Sequence, residues 1–254
     1  MKKLSLALAL LVSSLAFGQW GMGPGPGVKA YSGGCSDSDW ASVVLLVGNN
    51  NGSNGSTTFT DQSAAAHTMT ANGNIQWSTA QAPSGLTSSI LSDGVSDYIT
   101  SPNSNDWKFG TGDFTIEAYV RPASQAGYTM FAQSANAASW ATGWTWVTIS
   151  GSRRLAPYLN GGAISTATSS YALDTWQHLA WTRASGTNRT FIDGVVDVTT
   201  TSNSADLQPT TVISIAGNSS SYNFNGYIAS VRITKGVARY TGNFTPPSLP
   251  LPAC

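Results

Sequence analysis

The chain has 254 residues, of which only 9% are charged, and its 12 basic side chains balance its 12 acidic ones. Loss of a targeting segment that carries Lys2 and Lys3 would leave 10 basic (12 minus 2) against 12 acidic residues, a net charge of −2. This balance argues against attraction to nucleic acid or anionic lipid. The length suits a single β domain, and the abundant Thr, Val, Trp and Tyr favour a β protein with neutral partners.

Residues 1–18 predict a signal peptide. Lys2 and Lys3 precede an apolar run at residues 4–17 that is too short to span a bilayer, and small residues precede Gln19. The alternative is an N-terminal anchor helix. No later run is long and apolar enough to cross a membrane, so we expect a secreted, cell-surface or virion protein. Residues 19–39 are rich in Gly and Pro and predict a linker.

Short β-like runs follow one another in the predicted domain, residues 40–254. The clearest alternation lies at residues 114–121, where Phe114, Ile116, Ala118 and Val120 share one face and Pro122 ends the run. The predicted strands are residues 43–47, 57–61, 88–91, 98–100, 114–121, 144–149, 157–159, 163–164, 176–182, 190–192, 195–196, 212–215 and 227–233.

Two dipeptides, Asn160-Gly161 and Asp193-Gly194, separate pairs of these runs and predict hairpins with type I′ turns. Neither a long amphipathic helix after the signal nor a fixed repeat period is visible. The sequence therefore predicts an all-β fold, a β-sandwich of two antiparallel sheets.

Four longer segments carry a family resemblance. They are LSDGVSDYIT at residues 91–100, GDFTIEAYVRP at 112–122, WQHLAWTRASGTNRTFIDGVV at 176–196, and the closing IAGNSSSYNFNGYIASVRITKGVARYTGNFTPP at 215–247. In this order they resemble the laminin-G-like jelly rolls of the concanavalin A-like lectin/glucanase superfamily, in the form found in phage and bacterial surface proteins. The resemblance covers roughly residues 40–247 and implies a jelly-roll β-sandwich that binds glycans or another surface polymer.

The two cysteines, Cys35 and Cys254, lie near the two ends of the secreted part of the chain. Secretion favours a disulfide between them, and pairing between two chains is the alternative. An intramolecular bond requires both termini to meet, as they do when the first and last strands are neighbours.

The resemblance raises the question of catalysis, because the superfamily includes glycoside hydrolases. A retaining hydrolase needs two carboxylates about 5.5 Å apart, and the glucanase branch carries them as Glu-x-Asp-x-Glu. Glu117 is the only glutamate here, with Thr115 and Tyr119 two positions away. His67 and His178 are the only histidines, and His178 resembles a structural residue. We therefore expect no enzyme, no zinc site and no required cofactor.

Calcium is a weaker expectation from the same resemblance, since many relatives bind Ca²⁺ at the rim of the sandwich. Asp93 and Asp97 could supply oxygen ligands, as could Asp61 or the loop at residues 49–54. The sequence lacks an Asp-x-Asp-x-Asp-Gly loop, so turn formation and loop capping are the favoured roles of these side chains.

Aromatic side chains point to sugar binding, because a pyranose can stack its C–H face on Trp or Tyr. The candidates are Trp140, Trp144, Trp146 and Tyr158, and for each Trp a core position is at least as strong an alternative. Trp144 and Trp146 are two residues apart and share one face of a strand. Trp140 lies in a loop-like stretch and is the better exposed candidate.

The sequence thus predicts a secreted or surface-displayed, non-catalytic module that attaches to glycans or another surface polymer. A structural decoration protein of a virion or cell surface is the first alternative, with protein partners in the assembly. A divergent glycoside hydrolase is the second.

Overall fold

The strands of this protein form two antiparallel sheets. The computed structural model describes residues 36–124, 130–135, 142–148, 151–164, 167–200, 203–218 and 222–254. Within them, two single-turn 3₁₀ helices occur, at Trp40–Ser42 and Asn105–Trp107. The strands are β1 Val43–Val47, β2 Thr70–Asn72, β3 Gln76–Ser78, β4 Ser89–Asp93, β5 Tyr98–Ser101, β6 Phe114–Pro122, β7 Met130–Ala135, β8 Gly143–Thr148, β9 Leu155–Leu159, β10 Gly162–Ala163, β11 Gln177–Ala184, β12 Thr187–Ile192, β13 Val195–Thr200, β14 Ile213–Ile215 and β15 Asn225–Lys235.

The larger sheet has eight strands, in the order β13-β12-β11-β6-β15-β4-β3, with β1 also paired to β15. The smaller sheet has seven, in the order β10-β9-β8-β7-β14-β5-β2. Neighbours that are far apart in sequence, such as β6 with β15 and β14 with β5, show that long crossovers build both sheets. The predicted all-β sandwich of two antiparallel sheets is confirmed.

The hydrophobic core lies between the sheets. Phe114, Ile116, Ala118 and Val120 on one face of β6 are at most 2% exposed, which confirms the predicted alternation. The ring of Phe109 stacks between those of Phe114 and Trp144, with ring centroids 4.6 and 5.3 Å away. Aromatic packing of this kind joins the eight-stranded sheet to the seven-stranded one.

Strand β15 occupies the middle of the larger sheet. One of its edges pairs with β6, and the other pairs first with β4 and then with β1. A bulge at Ser230, whose φ is +53°, separates the two partners. The Ser230 N–H donates to the Gly48 carbonyl at 2.9 Å, so the bulge itself is hydrogen-bonded. The closing strand therefore lies beside the first strand, the arrangement that a disulfide between Cys35 and Cys254 within one chain requires.

Both predicted hairpins are present. Asn160-Gly161 joins β9 to β10, and Asp193-Gly194 joins β12 to β13. All four residues have positive φ, between 46° and 81°, as type I′ turns require.

The predicted strand at residues 57–61 is wrong. This segment forms no ladder; Phe59 packs on Trp77, with ring centroids 5.7 Å apart. The carboxylate of Asp61 accepts the backbone N–H groups of Leu46 and Ser63, which holds the loop without strand pairing. The pattern of an apolar Phe59 flanked by two threonines is typical of a strand. In this segment, however, side chains make the contacts, and no ladder of hydrogen bonds forms.

No helix in the described ranges has the length and apolar character needed to cross a membrane. Cys35 lies outside the described residues, so the Cys35–Cys254 disulfide stays a prediction. The neighbouring residues support it, because the Ser36 hydroxyl donates to the Ala253 carbonyl at 3.2 Å.

We expect the intact protein to resist thiol alkylation until it is reduced, as mass spectrometry would detect. Replacing Cys254 by Ser should lower the free energy of unfolding by about 4–5 kcal/mol, because the unfolded chain loses a closed loop of nearly the whole domain. Reductant should destabilise the native protein and leave the Cys254→Ser variant unchanged. A covalent dimer on a non-reducing gel would instead establish pairing between chains.

Candidate binding groove

A groove of about 500 Å³ crosses the outer face of the seven-stranded sheet, the face turned away from the core. Its floor is formed by β5, β14 and β7, with β2 at one end. The volume falls within the range of ordinary small-molecule sites. The lining residues are Asn72, Tyr98, Thr100, Asn103, Gln133, Ala135, Thr210, Thr211, Val212, Ser214 and Asn218.

Strand periodicity explains why polar groups line this groove. Ile99 is buried in the core, so its neighbours Tyr98 and Thr100 point to the opposite face. Ser214 likewise lies between the buried Ile213 and Ile215. The register then places Ser214 opposite Thr100 on one side and Gln133 on the other, so that the three form a row across the sheet.

The chemistry of the groove is neutral and rich in hydrogen-bonding groups. Its described lining contains amides and hydroxyls, two apolar side chains, Ala135 and Val212, and no charged side chain. The side-chain amide of Asn72 donates to Thr100 Oγ1 at 3.2 Å, which fixes both groups at one end of the groove. Such a surface suits an uncharged ligand with many hydroxyl or amide groups.

Two neighbouring side chains, Gln133 on β7 and Thr145 on β8, each have a buried oxygen without a hydrogen-bond partner among the described residues. Gln133 is 3% exposed and Thr145, opposite it on β8, is fully buried. Within the described residues, neither Gln133 Oε1 nor Thr145 Oγ1 has a hydrogen-bond partner. A buried acceptor left unpaired costs about 1–3 kcal/mol, so such groups in a native protein call for an explanation.

Two of the four predicted aromatic ligand contacts, Trp144 and Trp146, lie in the core. Trp144 and Trp146 do share one face of β8, but that face is the core, and both side chains are 0% exposed. The indole N–H of Trp144 donates to the Trp107 carbonyl at 3.0 Å, and the ring of Trp146 packs on Phe131. Their prediction as ligand contacts is corrected, because the same two-residue spacing serves core packing.

Tyr158 lies on the other side of the same sheet. Its register partner is Thr145 and not Trp144, and it packs with Val147, Ala156 and Tyr222 in a small cluster on the outer face. Trp140 lies outside the described residues, and its role in ligand binding stays a prediction.

Asp93 and Asp97, the predicted metal ligands, hold a turn together in this structure. The carboxylate of Asp97 accepts the backbone N–H groups of Asn74 and Asp93, and that of Asp93 accepts the N–H of Val95. Burial raises the pKa of Asp97, and the two backbone N–H groups oppose that shift. Among the described residues, no three His, Cys, Asp or Glu side chains are grouped to hold a metal ion.

The outer face of the eight-stranded sheet carries a different arrangement, which we call the buried ion cluster. Its members are Asp37, Glu117, His178, Arg232, Arg239 and Tyr240. Glu117 on β6 is completely buried and receives hydrogen bonds from Arg232 Nε at 2.8 Å, His178 Nε2 at 2.9 Å and the Tyr240 hydroxyl at 2.7 Å. His178 is thus structural, as its strand context suggested.

Asp37 completes the charge balance of the cluster. Its carboxylate accepts from Arg232 Nη1 at 3.1 Å and from both terminal nitrogens of Arg239 at 2.9 Å. Burial is the largest influence on Glu117 and opposes its ionisation. The hydrogen bond from His178 and the charge of Arg232 outweigh burial and lower the pKa of Glu117 to about 2.

The C-terminal segment, residues 236–254, covers this cluster. The Thr115 hydroxyl donates to the Val237 carbonyl, the Thr182 hydroxyl donates to that of Tyr240, and Tyr119 donates to that of Pro247. Phe244 stacks on Tyr240 above the sheet. The chain itself therefore covers the outer face of the eight-stranded sheet at the buried ion cluster, and the groove lies on the outer face of the other sheet.

Comparison with known proteins establishes the family. A family model of the concanavalin A-like lectin/glucanases superfamily, in its laminin-G-like form, matches residues 93–238, more than half of the chain. The chain belongs to this superfamily, which confirms the resemblance seen in the sequence. A comparison with curated proteins finds no match.

Several solved structures share the fold. The binding domain of Paraclostridial Mosquitocidal Protein 1 is similar with a TM-score of 0.58 at 15% identity, over 78% of this chain and 50% of that one. The binding domain of botulinum neurotoxin DC, solved in complex with rat synaptotagmin II, has a TM-score of 0.57 at 17% identity, over 79% and 50%.

A third similar structure carries a title stating that cell entry of botulinum neurotoxin type C depends on interaction with two ganglioside molecules. It has a TM-score of 0.56 at 15% identity, over 78% of this chain and 49% of that one. The chain spans about half the length of these structures. At such identities the likeness shows the fold alone.

Sequence reasoning missed Asn72, Gln133 and Ser214 as groove residues. The alternation around Ser214 could be recognised in the sequence, because Ser214 lies between two isoleucines. Nothing local in the sequence indicated that β14 lies between β5 and β7.

We expect neither added calcium nor EDTA to shift the melting temperature, because backbone N–H groups already occupy both Asp97 oxygens and one oxygen of Asp93. Asp97→Asn should lower the free energy of unfolding by about 1–3 kcal/mol through loss of a charged acceptor for two N–H groups. Differential scanning calorimetry measures both effects. A calcium-dependent rise in melting temperature that Asp97→Asn removes would establish a metal site.

Replacing Glu117 by Gln should lower the free energy of unfolding by about 3–5 kcal/mol at neutral pH, because Arg232 loses its buried carboxylate partner. The lowered pKa of Glu117 means that its contribution is complete above its ordinary value of 4.5 and is lost as the pH falls towards 2. Urea titrations across this range should therefore show a shallower acid decline in the variant.

Asp174→Asn is the matched control for that experiment. Asp174 pairs with Arg121 at 3.0 Å, but its side chain is 64% exposed, so the loss should stay below about 1 kcal/mol. Equal effects of the two substitutions would contradict a special role for the buried ion cluster.

Proposed function

We propose that this protein is a non-catalytic binding module that holds an uncharged, hydroxyl-rich surface polymer, a glycan, in the groove on the seven-stranded sheet. The observation that carries the proposal is the groove's lining: amide and hydroxyl groups beside the ring of Tyr98, with no charged side chain among the described residues. Sugar recognition needs a flat apolar surface for ring C–H groups together with polar partners for the hydroxyls, and the groove offers both.

The use of carboxylates in the fold supports a non-catalytic role. The single glutamate, Glu117, lies beneath the C-terminal segment and already accepts from three side chains. A glycosidase needs two carboxylates facing the same substrate. The described lining of the groove contains none.

The similar structures add a second line of support. Two of them are described as binding domains, and one title names gangliosides as the interacting molecules. Together with the predicted signal peptide, this favours an extracellular attachment role at a cell or virion surface. The neutral groove of this chain favours neutral sugars over acidic ones.

Trp140 is a further candidate contact. In the sequence Trp140 comes five positions after Ala135, which lines the groove at the end of β7. We keep Trp140→Ala as a companion variant in the binding experiments.

We expect binding to members of a glycan array, and Tyr98→Ala should weaken it at least tenfold. Loss of a ring contact worth about 1.4 kcal/mol corresponds to a factor of 10 in affinity. Affinities for the best array ligand would be measured by isothermal titration calorimetry, in parallel with an assay for reducing sugar released from a polysaccharide panel.

Tyr227→Ala is the matched control, since Tyr227 is also half-buried but lies on β15 in the other sheet. It should leave affinity unchanged. Absence of binding to every glycan would argue for the structural-decoration alternative, and release of reducing sugar would refute the non-catalytic assignment.

A further inference from the structure

The position of Gln133 in the groove indicates what kind of sugar the groove selects. Gln133 lies on β7, the last strand of the groove floor, between Ser214 on β14 and Thr145 on β8. Its side chain is almost fully buried, yet its Oε1 has no partner in the described part of the chain. Gln133 lines the groove, and an amide carries one acceptor and two donors with which it can hydrogen-bond a ligand there.

Other side-chain amides in this protein have structural roles, because they hydrogen-bond to other segments of the chain. Asn49 is 4% exposed, and its Nδ2 donates to the Leu251 carbonyl at 3.0 Å while its Oδ1 accepts the Leu251 N–H. The exposed Asn160 bridges Gly143 and Asp206 in the same manner. The buried Asn188 accepts from Trp181 Nε1 at 3.1 Å through its Oδ1, while its Nδ2 has no partner among the described residues. Gln133 ties no two segments of the described structure together, so a structural role does not account for it.

The Asn49 contact also shows the geometry that an amide satisfies: an N–H donor and an oxygen acceptor held side by side. On a sugar ring, a 2-acetamido N–H beside the 3-hydroxyl oxygen presents the same pair. A vicinal diol presents a similar pair, so the amide alone does not separate the two kinds of sugar.

Apolar side chains near Gln133 distinguish a sugar with an acetamido group from one with a vicinal diol. Ala135 follows Gln133 by two residues and points to the same face of β7, and Val212 is 46% exposed at the groove. They are the apolar part of an otherwise polar lining, and they suit a methyl group better than a hydroxyl. The described lining lacks a carboxylate that would attract a free amine and a cation that would attract an acidic sugar.

We propose that the groove selects N-acetylated hexosamines, with Gln133 accepting from the acetamido N–H and Ala135 and Val212 contacting the acetyl methyl. This inference rests on the proposed glycan-binding function and adds the substrate class. Gln133 and Val212 are then the specificity-determining residues of the site.

The test uses three oligosaccharides that differ only at the 2-position: cellotetraose, with a hydroxyl; chitotetraose, with an acetamido group; and its deacetylated form, with an amine. Titration calorimetry on the full mature protein should give at least tenfold tighter binding of chitotetraose than of the other two. Gln133→Leu should reduce the affinity for chitotetraose to that for cellotetraose.

Two further variants keep the test decisive if Gln133→Leu folds poorly. Val212→Ser, at an exposed position, should lower the preference for chitotetraose about threefold without changing stability. Gln76→Leu is the matched control, since Gln76 lies on β3 in the other sheet, and should leave the preference intact.

The outcomes separate the two proposals. Equal binding of cellotetraose and chitotetraose, or a preference for another neutral glycan that Tyr98→Ala abolishes, overturns the N-acetyl inference and leaves the glycan-binding function standing. Failure to bind these oligosaccharides or any glycan on the array overturns both.

Discussion

The hydrogen-bonded pairing of β15 with three other strands is the constraint on which the rest of this structure depends. One edge of β15 follows β6, and the bulge at Ser230 lets the other edge serve both β4 and β1. That arrangement brings Arg232 beside Glu117 and leads the following residues across the outer face of the sheet. Because a buried carboxylate needs partners, seating of the C-terminal segment and neutralisation of Glu117 depend on each other.

Covering one sheet with the chain's own end changes how polar strand residues should be interpreted. Thr115 and Thr182 alternate with core residues and would be expected to face water. Both are fully buried, and their hydroxyls donate to the Val237 and Tyr240 carbonyls. Alternation in a sequence therefore identifies the two faces of a strand, but whether the polar face meets solvent depends on a segment more than fifty residues away.

This dependence on distant segments limits what could be predicted from the sequence. The β6 strand, the two I′ hairpins and the sandwich follow from local patterns, and the family segments add the topology. The groove does not follow, because Asn72, Thr100, Gln133 and Ser214 come from four separate strands whose order is set by long crossovers. Trp144 and Trp146 were misassigned because a two-residue spacing is the same for a core face and a ligand face. Residues 57–61 were misassigned because their contacts are made by side chains instead of ladder hydrogen bonds.

Both outer faces of the sandwich carry buried polar side chains that need hydrogen-bond partners. On the eight-stranded sheet, Glu117, Thr115 and Thr182 find their hydrogen-bond partners with help from the C-terminal segment, although His178 Nδ1 has none among the described residues. On the seven-stranded sheet, Gln133 and Thr145 are buried to a similar degree, yet the described residues offer no partner to Gln133 Oε1 or Thr145 Oγ1. A fold that stays stable despite such a cost has either a compensating gain or an external molecule that supplies the missing hydrogen bonds. Because Gln133 lines the groove, a ligand bound there, as proposed, would account for this side chain.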